Sequence, residues 1–197
     1  MNEQLLRIST SHRRHPPKPV AAPKTLRPQL SGNSGLKKWL DLYRSSNIDI
    51  RMRAAIALIA RSDVPLTILL DILDTLAHRG LGASTEKVLL NRADVDLPCA
   101  MIARLDSPDQ FIREVACNVL GRSGDSAATR HLLRMIDDPQ MTVRRAAGFA
   151  LSQLKDASAI PELKRQFAAR RNDDTNVVWA LQTAMQALGV SIDYDAK

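Results

Sequence analysis

The sequence predicts an all-α array of stacked helical hairpins, and three observations carry that expectation. Like residues recur at a fixed step of 31 positions, and apolar residues fall at three- and four-residue spacings. Ala and Leu abound, while aromatics make up only 4% of the 197 residues. A fixed step of this size is the mark of a repeat architecture. The apolar spacing is that of one helix face, and small aliphatic side chains suit close helix packing.

The repeat is clearest in "DDPQMTVRRAAGFALSQLKDASAIPELKRQF", residues 137–167. One step back takes Pro139, Val143, Arg144, Ala147, Leu151, Asp156 and Leu163 to Pro108, Ile112, Arg113, Ala116, Leu120, Asp125 and Leu132. Further steps complete the columns Asp63, Asp94, Asp125, Asp156 and Leu58, Leu89, Leu120, Leu151. Those registers need no insertion.

The elements follow in order. Residues 1–33 read as a basic, proline-rich tail: the first thirty hold five of the ten prolines, and Arg7, Arg13, Arg14, Lys18, Lys24 and Arg27 face Glu3 alone. Such a stretch buries too little apolar surface to offset its ordering entropy and is expected to be disordered. The tail thus carries most of the chain's net charge of +7, and the body is close to neutral. The array is expected over 34–190. A partial repeat at 34–46 presents Leu36, Trp39, Leu40 and Tyr43; full repeats follow at about 47–79, 80–106, 107–137 and 138–169. A capping helix at 175–189, reached by three extra residues around "RRNDD", closes the apolar end that every inner repeat would leave open. Residues 190–197 are expected to be a flexible C-terminus.

Within each hairpin the column Asp is expected to cap the second helix, accepting from its free N–H groups. Asp138 is placed to cap the first helix of its repeat, with Pro139 at the first helical position. The Ala column (Ala54, Ala116, Ala147) is expected to let the paired helices approach closely.

"DPQMTVRRAAGFALSQLKDASAIPELKRQF" and "SPDQFIREVACNVLGRSGDSAATRHLLRMI" resemble HEAT repeats of the short bacterial, phycobilisome-lyase type. The usual form there is DP-x-VR-x-x-A…LG-x-x-GD-x-x-AIP-x-L. The resemblance is strong over 107–167 and fair over 47–79. It is weak over 80–106, where "GLGASTEK" lacks the Asp-Pro and the Arg. It implies a right-handed α-solenoid of about four to five HEAT-like hairpins, with second helices lining a concave face. It also implies that the leading arginine of each repeat pairs with acids of the inter-repeat turn. Arg51, Arg113 and Arg144 hold that place, beside Arg53 and Arg145, with Asp106, Asp137 and Asp138 available; the rival reading is a phosphate-binding ladder. It does not fix one activity, because such repeats serve scaffolds, adaptors, chaperones, bilin lyases and a few DNA glycosylases.

The residues offer no catalytic constellation. There is no GxSxG, HExxH, CxxC or P-loop, and His12, His15, His78 and His131 are scattered. One Asp per repeat sets the column carboxylates roughly 10 Å apart, too far to share one ion. "GRSG" at 121–124 matches the GxxG clamp of KH domains, but no strands accompany it, and the same glycines are expected to end the first helix. No cofactor, metal or enzymatic activity is therefore expected. Cys99 and Cys117 fall in apolar helical patterns and are expected to be buried free thiols of a reducing cytosol. No apolar run approaches the ~18–20 residues of a membrane span, and the N-terminus has no secretory h-region, so a cytoplasmic protein is expected. A transit peptide is the other reading of the tail, against its proline density.

The polar positions of the second helices remain. Arg104, Arg130, His131, Arg134, Glu162, Lys164 and Arg165 are expected on the groove, and the column 103/134/165 reads Ala, Arg, Arg, basic towards the C-terminal half. Trp179 fits either an interface anchor or the core, with the core favoured. The function expected is a non-enzymatic protein–protein scaffold or adaptor within a larger complex, its basic tail a tether or second site. The alternatives are nucleic-acid binding through the tail and groove arginines, and an enzyme subunit of bilin-lyase type.

Overall fold

The computed structural model describes residues 33–170 and 175–191. The six tail cations, the insertion after Arg170 and residues 192–197 lie outside the described residues. Within them the chain forms ten α-helices and no strand. These are α1 (Asn33–Tyr43), α2 (Ile48–Ile59), α3 (Leu66–Leu76), α4 (Gly82–Leu89), α5 (Leu97–Arg104), α6 (Gln110–Ser123), α7 (Thr129–Met135), α8 (Met141–Leu154), α9 (Ile160–Ala169) and α10 (Thr175–Ala187). Helices α2/α3, α4/α5, α6/α7 and α8/α9 are the first and second helices of successive hairpins in a HEAT-like α-solenoid.

One apolar core runs through the array. The Leu column is wholly buried: Leu58, Leu89, Leu120 and Leu151 are all within 2% of full burial. Ala54, Ala116 and Ala147 are fully buried, and Thr85 takes the same place in α4, its hydroxyl donating to the Leu81 carbonyl at 2.9 Å. That bond satisfies a polar group that burial would otherwise penalise.

The closest approach is not within a hairpin, as the Ala column suggested, but between successive first helices. A Cβ on Gly121 of α6 would lie 2.6 Å from Ala150 Cα of α8, and one on Gly148 of α8 would lie 2.6 Å from Ala180 Cα of α10. Gly121 therefore does not end its helix, contrary to expectation. Gly124, at φ 70°, does so in the left-handed conformation that glycine adopts without penalty. Two repeats earlier the matching pair is Ile59 and Val88, and a cleft of about 780 Å³ opens there between α2 and α4.

The capping scheme needs correction. Asp125 and Asp156 accept from the Ala127 and Ser158 N–H groups, each opening a single 3-10 turn before the second helix. Asp63 and Asp94 cap nothing: their carboxylates are taken by Arg61 and Arg92, two residues back. Nor does Asp138 cap α8, which starts at Met141 after Gln140, with Pro139 outside the helix. Asp109, one residue further from its Asp-Pro position, caps α6 by accepting from Phe111 N–H.

Candidate functional site

The second-helix face holds the expected groove residues, and the array disposes of most of their charge. Arg104, the last residue of α5, grips Asp74 of α3 in a two-pronged pair, Nε to Oδ1 at 2.8 Å, and donates to the Ala100 carbonyl. One layer on, Arg134 of α7 donates to Asp106 at 2.8 Å. One layer further, Arg170, capping α9, pairs with Asp137. The last three hairpins thus each place an arginine near the end of the second helix against an acid of the repeat before. Of the expected basic column, Arg134 is taken into this ladder of ion pairs.

Arg165 pairs within its own helix, with Glu162 at 2.6 and 2.8 Å. Those donors, with the Gln166 amide, hold the Glu162 carboxyl down to about 2. Arg130 donates to His131 Nε2 at 3.1 Å. Partial burial first, then the charges of Arg130 and Arg134, push the His131 imidazole below its usual range, which keeps it neutral near pH 7. Lys164 is exposed to solvent. The face is therefore mixed in charge.

Of the leading arginines, Arg113 and Arg144 serve the frame. Arg113 is buried, pairs with Asp138 and donates to the Ser107 and Pro108 carbonyls. Arg144 repeats the carbonyl contacts one unit on, to Asp138 and Pro139. Arg145 points outward instead, its guanidinium 5.0 Å from the Trp179 ring centroid. Trp179 is consequently not a core residue; it is 38% exposed on α10. The second thiol reading is also corrected: Cys117 is buried, but Cys99 is exposed.

The first-helix face carries what the groove-centred reading passed over. Phe111, Met141, Phe149 and Trp179 are large apolar side chains left exposed on α6, α8 and α10. A signal was present: the column 56/87/118/149 reads Ile, Lys, Asn, Phe, so Phe149 stands where the two preceding repeats are polar. Among the described residues no group of His, Cys, Asp and Glu is placed to hold a metal ion. No helix there is long and apolar enough to cross a membrane.

No curated protein matches this chain in sequence. Residues 99–188, which take in most of α5 and all of α6 to α10, match the family model for HEAT repeats.

Proposed function

We propose that this protein is a non-enzymatic scaffold or adaptor that holds a protein segment against its second-helix face. The observation that carries the reading is the ladder of Arg104–Asp74, Arg134–Asp106 and Arg170–Asp137. It leaves a mixed-charge surface suited to the side chains of another protein. A phosphate backbone calls for a groove of uncompensated cations. HEAT repeats generally mediate protein–protein interaction, which agrees with this. The tail, with six basic residues, acts as a tether or second site in the cytoplasm, where the bilin-lyase-type reading has no residue set to support it.

Affinity purification from the native cell tests the proposal, comparing the full chain with Arg130→Glu/Lys164→Glu/Arg165→Glu. The expected result is a defined protein partner recovered by the full chain and lost with the triple variant. Recovery of the same partner by both would remove the second-helix face from the proposal. A salt-sensitive complex with duplex DNA that persists without residues 1–32 would turn the reading towards nucleic acid.

A further inference from the structure

A groove of about 350 Å³ lies between the turn after α3, the start of α4 and α6. Its apolar wall is Ala77, Ala83, Val115 and the ring of Phe111, which is 52% exposed. Phe111 owes its free face to the repeat. The residue 31 positions earlier is Gly80, at φ 92°, and no side chain rises from that point to cover the ring. The titratable side chains lining the groove are Glu86 of α4, Glu114 of α6 and His78 of the turn after α3, with no lysine or arginine among them. Glu86 is fixed by the Asn118 amide, which donates to its Oε1 at 2.8 Å. Burial, with the Glu114 charge added, raises the Glu86 carboxyl above its usual value despite that bond. Two carboxylates beside an open aromatic ring make a site short of positive charge.

The chain itself contains the complementary chemistry. Residues 12–20, "HRRHPPKPV", set three prolines among Arg13, Arg14 and Lys18. Proline-rich segments dock on aromatic-lined grooves in extended form, with little ordering cost. Fourteen residues lie between Lys18 and Asn33, the start of α1, an extended reach of about 50 Å. From α2 the groove is two layers along, at roughly 10 Å per layer. We infer that the groove between α4 and α6 takes the chain's own basic, proline-rich segment, residues 12–20. The prolines lie on Phe111, and the flanking cations meet Glu86 and Glu114. The docked tail covers the first-helix side and leaves the second-helix face open.

Amide hydrogen exchange on the full chain tests this, read at residues 77–86 and 111–115. It is compared with two full-length variants, Arg13→Glu/Arg14→Glu/Lys18→Glu and Phe111→Ala, whose helix content by circular dichroism should match. Exchange several-fold slower in the unaltered chain, and lost in both variants, is the expected result. A synthetic peptide of residues 10–30, added to the charge-reversed chain, should restore the protection. Equal exchange in all three chains overturns the inference. So does protection that grows with protein concentration, which would put the tail of a second copy in the groove, or rescue by a peptide with its cations replaced.

Discussion

Arg113 of α6 and Asp138 of the turn after α7 form the most deeply buried ion pair among the described residues, with Nε–Oδ2 at 2.7 Å and Nη2–Oδ1 at 2.9 Å. The pair joins the helix of one repeat to the threshold of the next. Asp138 also accepts from Gln140 N–H at 2.8 Å, and its own carbonyl receives Arg144. One carboxylate thus organises the inter-repeat turn.

Removing one partner strands the other in a dry site. Arg113→Met is expected to cost about 3–5 kcal/mol, the range for an orphaned buried charge. Arg113→Met/Asp138→Asn should cost less than the two single changes summed, because the second no longer breaks a pair. Urea denaturation of the four proteins measures both quantities.

The same pair makes stability depend on acid. Burial would raise the Asp138 carboxyl, but donation from Arg113 and the Gln140 N–H outweighs it and holds the group below the usual carboxylate range. A carboxylate depressed on folding stabilises above its unfolded value, about 3.9. That contribution fades as pH falls through the lower folded value. The stability gap between the natural chain and Asp138→Asn should be full at pH 7 and close progressively below about pH 4. A gap unchanged down to pH 2 would show that the carboxylate charge does not hold the turn.

Gly121 and Gly148 tell the same story in packing terms. Alanine is ordinarily the better helix residue by about 1 kcal/mol, yet at either position its Cβ would meet the backbone of the neighbouring helix, 2.6 Å from Ala150 Cα or Ala180 Cα. Overpacking of this kind costs about 1–3 kcal/mol. Gly121→Ala and Gly148→Ala should each lower the melting temperature, whereas an alanine that met nothing would raise it.

The two thiols separate cleanly. Cys117 is fully buried and its thiol is pushed well above its usual value, chiefly by burial, while Cys99 lies on the exposed side of α5. A thiol reagent should modify one cysteine per chain under native conditions and two in denaturant, with Cys99→Ser abolishing the native reaction. Two native equivalents would contradict the packing of α6.

The helical order was legible because a period of 31 residues states which positions share an environment, and Leu58, Leu89, Leu120 and Leu151 all proved buried. The period could not state which partner a polar member of a column would choose. Asp63 and Asp94 stand in register with Asp125 and Asp156, yet an arginine two residues back diverts the first two from capping. Likewise Arg134 and Arg165 share a column, but Arg134 takes the acid of the preceding turn, Asp106, while the matching Asp137 goes to Arg170 and Arg165 pairs with Glu162. The column therefore names the helix that carries each arginine and not the acid with which it pairs. Such choices depend on side-chain geometry across layers, which a one-dimensional pattern does not encode.

Trp179 gives the last prediction its probe. It and Trp39 are the only tryptophans, and Trp39 is partly buried against the core. Trp179 is 38% exposed beneath Arg145, whose guanidinium lies 5.0 Å from the ring centroid. Iodide should therefore quench chiefly Trp179, and Arg145→Ala should reduce that quenching by removing the charge that draws the anion in. The stacked cation links α8 to α10 at an exposed site, so its loss should cost only about 0.5–1 kcal/mol. Trp179→Ala should leave the helices intact and remove most of the quenchable emission. If emission stays quenchable after that substitution, Trp39 is the accessible ring and does not pack against the core.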